Sequence, residues 1–391
     1  MEEMLRKKRI ESIDFLRGLV MVIMVLDHVR DFFHADAFLY DPTDVTQTTP
    51  ILFFTRFITH FCAPVFVFLA GTSAFFVGTR LTKPELSKWL LKRGIWLIIV
   101  ELTIMKFGWA FKLDYSTSVL QVIWALGVSM IFLALFIHLP KRMMITLSLV
   151  AVFGHNLVDN FQPDNFSTLW AILHVMRPIN IFGASFFAAY PLIPWIFVMC
   201  LGYHFGALYK SDFSAPKRAK IILGIGLACV VLFVIMRAFN NFGEPKPWST
   251  QESLIYTFLS FFEVSKYPPS LLYLLITLGP SLILLAVSEK WRGKFHQALV
   301  VIGRVPMFYY ILHVYVIHVL AVFGAMISGY PASSMIIDLF VTLTPELKGY
   351  GFNLGVVYGI WFALVVAMYP MCRWYNEYKT SNRDKWWLSY L

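Results

Sequence analysis

The sequence predicts an all-α fold class, a polytopic integral membrane helical bundle of about ten transmembrane helices. Of its 391 residues, 58% are hydrophobic and only 14% are charged, whereas about one quarter of a soluble domain is charged. Mean hydropathy is +0.67, and apolar runs of about 20 residues, the length of a bilayer crossing, recur from end to end. These features argue against a water-soluble globule, a disordered chain and a β-barrel.

Ten segments have the length and apolarity of a spanning helix. They lie near 15–33, 51–78, 89–111, 118–138, 143–160, 190–209, 220–239, 268–288, 297–325 and 353–372. The segment 166–187 is also apolar, but His174, Arg177 and Pro178 interrupt it. We predict a re-entrant or interfacial element there, with an eleventh span as the alternative. The predicted organisation is a cytoplasmic N-terminus (1–14), one membrane domain (15–372) and a cytoplasmic tail (373–391).

The loop charges orient this bundle, because cytoplasmic loops of membrane proteins carry an excess of Lys and Arg. In the predicted layout, 22 of these residues lie in the even-numbered connections and the two termini, and 6 lie in the odd-numbered connections. We therefore predict a multi-pass protein whose termini are both cytoplasmic. The net charge of +10 does not indicate nucleic-acid binding, because the cations sit in short loops rather than on one face of a polar domain.

The four cysteines indicate neither a metal centre nor a disulfide framework. Cys62, Cys200, Cys229 and Cys372 occur singly within apolar segments, without the close pairing that zinc ligands show. We expect them to pack as small buried hydrophobic side chains, and we predict no metal cofactor.

The first span carries the most informative polar residues, since ionisable side chains inside a membrane mark interiors, cavities or sites. Arg17 and His28 are eleven residues apart, so on a straight helix they face one groove, about 16 Å apart along its axis. Asp27 and Asp31 flank His28, and Asp31 is the better placed to orient the imidazole. The pattern predicts an anion site near the cytoplasmic end and a base in the outer half. The alternative is that Arg17 reaches lipid headgroups and His28 makes a structural hydrogen bond.

Two further spans contain ionisable pairs. Arg56 and His60 are one helical turn apart in the second span, and His60 is equally compatible with a catalytic and a structural role. For Glu101 and Lys106 in the third span, we prefer internal ion pairing to a part in catalysis.

The ninth predicted span repeats the order of the first, with a cation at its entry and a histidine deeper. Arg304 lies near its cytoplasmic end, and Tyr310 and His313 follow on neighbouring turns. A hydroxyl and an imidazole at this spacing suit an acid/base relay, although an aromatic stripe more often serves packing. We expect His318 at the membrane interface.

These segments resemble one family. The resemblance to bacterial relatives of the heparan-alpha-glucosaminide N-acetyltransferase family lies in RIESIDFLRGLVMVIMVLDH, APVFVFLAGTSAFF, YPPSLLYLLITLGP and IGRVPMFYYILHVYVIH, in this order. These stretches touch the first, second, eighth and ninth spans, and so cover nearly the whole chain. The spacing of Arg17 and His28 also resembles the R-x10-H signature of the wider membrane acyltransferases. The resemblance implies a transmembrane acyltransferase that takes acetyl-CoA at the cytoplasmic face and acetylates an amino or hydroxyl group of a sugar or glycan on the other side.

The resemblance also implies a catalytic histidine near the outer end of the first span. His28 matches the R-x10-H position, whereas His34 in DFFHADAF better resembles the aromatic-then-histidine context of the lysosomal members; we favour His28. The histidine would deprotonate the acceptor, or accept the acyl group itself before passing it on. Cations at the inner span ends would bind the CoA phosphates through charge-assisted hydrogen bonds. The candidates are Arg17, Lys92, Arg93 and Arg304.

Two other classes of protein stay open at this point. A secondary transporter or proton-coupled permease also uses membrane carboxylates and histidines, but the chain shows neither inverted symmetry nor paired broken spans. A non-catalytic membrane scaffold would need the polar residues only for packing. The setting that the resemblance favours is a bacterial inner membrane. The expected partners are acetyl-CoA, a glycan acceptor, the lipid bilayer and, as an open alternative, a second copy in a homodimer.

Overall fold

A computed structural model describes residues 10–161, 163, 167–181, 183–338, 340–382 and 384–390. The cations at positions 6–9 and at 383, which entered the charge count, lie outside these residues. The helices are α1 (Glu11–Phe33), α2 (Pro50–Thr59), α3 (Cys62–Gly78), α4 (Lys83–Val100), α5 (Lys106–Ala110), α6 (Val122–Phe136), α7 (Lys141–Gly154), α8 (Ser167–Leu173), α9 (Trp195–Phe205), α10 (Ala215–Phe239), α11 (Leu254–Phe262), α12 (Leu271–Ser288), α13 (Lys294–Arg304), α14 (Pro306–Ile327) and α15 (Leu354–Ser381).

The structure confirms the helical class, and apolar helices of spanning length fit a membrane protein. Within the described residues, five helical segments are long and apolar enough to cross a bilayer. They are Pro50–Gly78, which comprises α2 and α3, and Ala215–Phe239, Leu271–Ser288, Pro306–Ile327 and Leu354–Ser381. The count of ten spans stays a prediction.

Several predicted spans are divided into shorter pieces. A turn at His60 and Phe61 separates α2 from α3, and a π-helical turn at Glu101–Met105 joins α4 to α5. The predicted ninth span is two helices, because the backbone leaves the helical conformation at Val305 before Pro306 starts α14. Proline has no N–H to donate and is favoured at the first position of a helix. The apolar composition therefore identified these regions, but not the breaks within them.

The segment near 166–187 is not a continuous helix. Its described part contains the seven-residue α8 and the strands β2 (Pro178–Ile181) and β3 (Ala184–Ala188). With β1 (Thr117–Leu120) they form a sheet of order β1-β3-β2, in which β1 and β3 are parallel and β2 and β3 antiparallel. Because α8 is far shorter than the roughly 20 residues of a spanning helix, the alternative of an eleventh span was wrong.

Glycines allow two of the closest helix contacts. A Cβ on Gly18 of α1 would lie 1.9 Å from the Leu299 carbonyl oxygen of α13, and one on Gly303 would lie 1.8 Å from the Asp14 carbonyl oxygen. Gly202 likewise lets α9 approach the backbone of α3. Small residues permit backbones in a membrane bundle to pack directly against each other. The first of these contacts fixes α13 against the start of α1, and thereby positions α14, which follows it.

A buried arginine holds the segment between α10 and α12, which includes α11. Arg237 in the last turn of α10 donates to the carbonyl oxygens of Lys246, Ser260 and Glu263 at 2.6–2.9 Å. A buried guanidinium needs such acceptors, since its donors lose water on burial. These bonds order the chain that leads to Lys266, which reaches the central cavity.

Candidate active site

A cavity of about 450 Å³ lies beside the second half of α1, between residues of α2, α3, α5 and α14 and the loops after α1, before α12 and after α14. Its wall is mixed: ionisable side chains alternate with aromatic ones, as in many small-molecule sites. The ionisable and aromatic lining residues include Asp27, His28, Arg30, Asp31, Asp41, Arg56, Glu101, Lys106, Trp109, Tyr190, Lys266, Tyr267, Tyr310 and Asp338. Phe38 and the exposed Asp338 also line it, so the cavity reaches the surface of the protein.

His28 and His313 are joined directly, ring to ring. Nδ1 of His28 lies 2.6 Å from Nε2 of His313, and Nδ1 of His313 lies 2.9 Å from the carbonyl oxygen of Tyr309. A carbonyl only accepts, so His313 must donate from Nδ1. When both rings are neutral, Nε2 of His313 is therefore the acceptor, and His28 donates to it from Nδ1. This chain of bonds leaves the lone pair of Nε2 on His28, a cavity-lining residue, as a base.

Asp27 is the centre of a group of buried charges. Both of its oxygens accept from Arg56, at 2.7 and 2.6 Å, and Oδ1 also accepts from Arg30 at 3.1 Å. The ammonium of Lys266 lies 3.7 Å from Oδ2. Three cations around one carboxylate fit the rule that buried charges are paired. Asp27 thus links α1 to α2 and to the loop before α12.

The predicted contact between Asp31 and His28 is replaced by another one. Asp31 accepts from Arg30 at 2.7 Å, and the ring that orients His28 belongs to His313. The spacing in the sequence was compatible with either arrangement, but Arg30, the immediate neighbour, offers the carboxylate a charge-assisted bond.

Asp41, in the loop after α1, adds a carboxylate to the cavity. It accepts from the backbone and the hydroxyl of Thr43 at 2.9 and 2.8 Å. Burial alone would raise the pKa of Asp41, but the charge of Arg56 and the Thr43 bonds outweigh it and hold this pKa below its usual value. Asp41 is therefore ionised near neutral pH.

Tyr310 lines the cavity beside His28, whereas His60 is not among the lining residues. The ring of Tyr310 lines the cavity, with its centroid 6.3 Å from that of His28 and 5.4 Å from that of His313. His60 is buried behind the wall, and its ring packs against Tyr273 at 5.4 Å. Because Pro64 has no N–H, the His60 carbonyl lacks its helical donor, and the Tyr273 hydroxyl donates to it at 2.9 Å. Tyr310 therefore lies beside His28. His60 belongs to the break between α2 and α3, where Tyr273 bonds its carbonyl oxygen.

His34, the other candidate for the catalytic histidine, lies beyond the end of α1. Its backbone N–H donates to the Arg30 carbonyl, and its Nδ1 accepts from the N–H of Asp36 at 3.3 Å. It also pairs with Phe352 in an isolated β-bridge. His34 therefore belongs to the turn that closes α1, whereas His28 lines the cavity.

The four cations predicted to bind CoA phosphates fall into two groups. Arg17 donates to Asp14 and to the Gly303 carbonyl, both at 3.1 Å, and to Ser73 at 2.9 Å. Arg304 also approaches Asp14, at 3.5 Å, so these two cations share one carboxylate.

The second pair lies on α4. Arg93 stacks over the rings of Trp89 and Tyr390, 5.6 and 5.5 Å from their centroids, and Lys92 is exposed.

Glu101 was expected to form an ion pair, and that expectation was wrong. Its carboxylate accepts from the backbone N–H groups of Ile123 and Trp124 at 3.0 and 3.1 Å. A carboxylate at the first turn of a helix satisfies free amides and interacts favourably with the helix dipole. Glu101 therefore caps α6, while Lys106 lines the cavity separately.

Sequence reasoning missed Lys266 and the aromatic side chains Trp109, Tyr190 and Tyr267. Lys266 counted as an outer-loop cation, yet it is buried and lines the cavity. A lysine directly before a Tyr-Pro-Pro run at the start of a span is the signal that was available. Trp109 stands edge-on to His28, with ring centroids 4.8 Å apart, and no periodicity distinguishes it from a packing residue.

An imidazole that lines a cavity, held by a second imidazole and with one nitrogen unbonded among the described residues, is an arrangement that suits the general base or nucleophile of a membrane enzyme. The model of the family described as Heparan-alpha-glucosaminide N-acetyltransferase, catalytic, matches residues 9–241. This match covers more than half of the chain, so the chain belongs to that family and is a transmembrane acetyltransferase. No curated protein matches the chain significantly.

The matched region contains His28, Asp27 and His60 but ends before Lys266, Tyr310 and His313. The family assignment confirms the resemblance seen in the sequence. The contacts of Lys266, Tyr310 and His313 with the rest of the site come from the structure and not from the family match.

Proposed function

We propose that the protein transfers the acetyl group of acetyl-CoA to an amino or hydroxyl group of a sugar or glycan bound in the cavity, with His28 as the general base. The observation that carries this proposal is the bond between His28 and His313. Because His313 is committed to the Tyr309 carbonyl through Nδ1, it fixes the tautomer of His28 and leaves Nε2 unprotonated.

The reaction then needs one proton relay. Nε2 of His28 takes the proton from the acceptor nitrogen or oxygen, which attacks the thioester carbonyl. As the tetrahedral intermediate collapses, the carbon–sulfur bond breaks, and the thiolate takes that proton to leave as CoA. The acetylated acceptor is the second product. His313 stays bonded to Nδ1 throughout and stabilises the transient imidazolium.

Among the three cations around Asp27, we assign Lys266 to the negative charge that develops on the thioester oxygen. Arg30 and Arg56 are bound to carboxylates at 2.6–3.1 Å, whereas the ammonium of Lys266 lies 3.7 Å from Asp27, beyond hydrogen-bonding distance. Its three donors are thus less committed. A preorganised cation in a site of low dielectric is one of the larger contributions to catalysis.

The donor would enter from the end where α1 begins. Arg17 and His28 lie on the same face of α1, and Arg304, whose side chain is 26% exposed, is more accessible than Arg17 at 15%. We therefore assign the CoA phosphates first to Arg304, with Lys92 as the other exposed candidate. The bacterial inner membrane and the cytoplasmic termini are part of the same proposal.

The test is acetyl transfer by the purified protein from radiolabelled acetyl-CoA. Glucosamine offers an amine and hydroxyls, and N-acetylglucosamine offers hydroxyls alone, so the pair separates amide from ester formation. The proposal predicts consumption of acetyl-CoA above the background, as transfer or as slow hydrolysis. If folded protein neither binds nor consumes acetyl-CoA, the proposal fails.

A further inference from the structure

A second pocket lies beside the first turns of α1, away from the cavity. It is lined by Phe15 and by residues Trp291–His296, at the start of α13. Phe15 and His28 are thirteen residues apart, which places them on different sides of α1 at about 100° per residue. The pocket also lies at the opposite end of the 11-residue α13 from Arg304. It is therefore distinct from the site assigned above.

The ring nitrogens of the buried His296 are unpaired within the part of the chain that the structure describes. Its exposed fraction is 4%, and neither ring nitrogen has a hydrogen-bond partner among the described residues. The ring stacks on Phe15, with centroids 5.0 Å apart and planes 14° apart. A neutral imidazole carries one N–H, and a buried donor that is left unpaired is costly. His296 lines the pocket, so a group bound there would satisfy it.

The backbone around His296 suits an anion. Gly293 precedes α13 at φ +123°, with no side-chain cap on the helix, so the first amides of α13 remain free to donate. A Cβ at Gly293 would meet nothing within 4 Å, which leaves open space over this turn. Free amides and the helix dipole together favour phosphate. Glycine is required here, because other residues rarely adopt this φ.

The charges and aromatic side chains near Gly293 also favour binding of an anion. Arg292 and Lys294 flank the turn, and Glu289, the nearest acidic residue along the chain, is already bound to Arg218 at 2.8 and 2.9 Å. Trp291 and Phe295 are 44% and 73% exposed. Aromatic side chains next to cations are typical of the headgroup level of a bilayer.

We propose that the pocket of Phe15 and Trp291–His296 binds a phosphate group, through the amides at the start of α13, the ring of His296 and the side chain of Lys294. The phosphate is carried by an anionic lipid headgroup or by a free phosphate compound. This site is independent of the transfer reaction, and its test does not use enzymatic activity.

The test measures binding to purified full-length protein in nanodiscs of phosphatidylcholine, with or without phosphatidylglycerol. Lipid retained by the protein is quantified by native mass spectrometry, and adenosine diphosphate is titrated as the free phosphate compound. The variants are His296→Phe, which keeps the stacking on Phe15, and Lys294→Gln. Lys220→Gln, which removes an exposed cation at the start of α10, is the matched control.

We expect each pocket variant to weaken binding about tenfold, the size of one charge-assisted hydrogen bond, and the control to bind as the wild type does. Loss of phosphatidylglycerol retention identifies a lipid headgroup, and loss of adenosine diphosphate binding identifies a free phosphate compound. If neither variant weakens binding of either probe, the proposal is wrong. A higher Tm of His296→Phe would then show that His296 only packs against Phe15.

Discussion

Two histidine sites near the C-terminal end of α1 differ in what their ring nitrogens bind. At His318, the nitrogens lie 2.8 Å from the carbonyl oxygens of Gly108 and Met335. At His28, one nitrogen binds His313 at 2.6 Å, and no bond of the described residues occupies the other. His318 is completely buried, whereas His28 lines a cavity. His318 therefore ties backbone segments together, and only His28 retains a nitrogen for chemistry.

His155 resembles His318, because its ring also lies between two backbone carbonyl oxygens. Its ring lies between the carbonyl oxygens of Val152 and Pro269, at 2.8 and 2.9 Å, and so connects the end of α7 to the loop before α12. A buried histidine is thus a candidate for catalysis when its partners leave one nitrogen unused, and a structural residue when backbone acceptors take both.

Removing His28 should have the largest effect on turnover. We expect His28→Ala to lower acetyl transfer by about 10² to 10⁴, the range typical of a general base, while Tm stays near that of the wild type. The matched control is His34→Ala, which should keep most of the activity because its ring does not line the cavity. Full loss in the control with activity retained in His28→Ala would reverse the assignment.

Asp27→Asn should have the largest effect on stability. The change leaves Arg56, Arg30 and Lys266 without their common carboxylate, and breaking a buried ion pair typically costs about 3–5 kcal/mol. Thermal unfolding in detergent measures the loss. Asp31→Asn, which removes a carboxylate bound to Arg30 alone, should lower Tm less; an equal or larger effect would contradict the central position of Asp27.

His313 should affect turnover only by orienting His28. His313→Phe removes the acceptor for Nδ1 of His28, and we expect turnover to fall about 10- to 100-fold, as with other residues that orient a functional histidine. His313→Gln offers an amide oxygen in its place and should recover part of the rate, with an altered pH profile. The role is structural instead if Phe and Gln lower Tm equally and leave turnover per folded molecule unchanged.

His318→Phe should affect stability without affecting the chemistry. A neutral imidazole has one N–H, so the change removes one hydrogen bond to a backbone carbonyl, which contributes about 1 kcal/mol, and leaves that acceptor unpaired. We expect a lower Tm and a turnover per folded molecule within about twofold of the wild type, measured on the same preparation. A selective loss of turnover at unchanged Tm would remove the distinction between His318 and His28.

Tyr273→Phe should give the smallest effect. The hydroxyl supplies the donor that Pro64 withholds from the His60 carbonyl, and its loss should cost about 1 kcal/mol. Comparison of Tm between this variant and Tyr267→Phe, whose hydroxyl makes a longer 3.3 Å bond to Tyr190, measures it. Equal values would show that the break at His60 does not depend on this bond.

Composition predicted the helical membrane class, the spacing of Arg17 and His28 singled out His28, and the resemblance of four segments indicated the family, since all three depend on local sequence. Helix geometry alone predicted that Arg17 and His28 lie on the same face of α1. The partner of His28 did not follow, because His313 is 285 residues away and only tertiary packing brings the two rings together. The same limit applies to Lys266, and to Glu101, whose capping of α6 requires knowing where that helix begins.

The most direct measurement is carbethoxylation of the native protein by diethyl pyrocarbonate, which reacts with unprotonated imidazole nitrogens. Modified peptides are then mapped by mass spectrometry, with and without acetyl-CoA. We expect His28 to be modified early and to be protected by acetyl-CoA, and His155 and His318 to react only after unfolding. Modification of His318 before His28 would contradict the claim that His28 alone of the three holds a free nitrogen in the cavity.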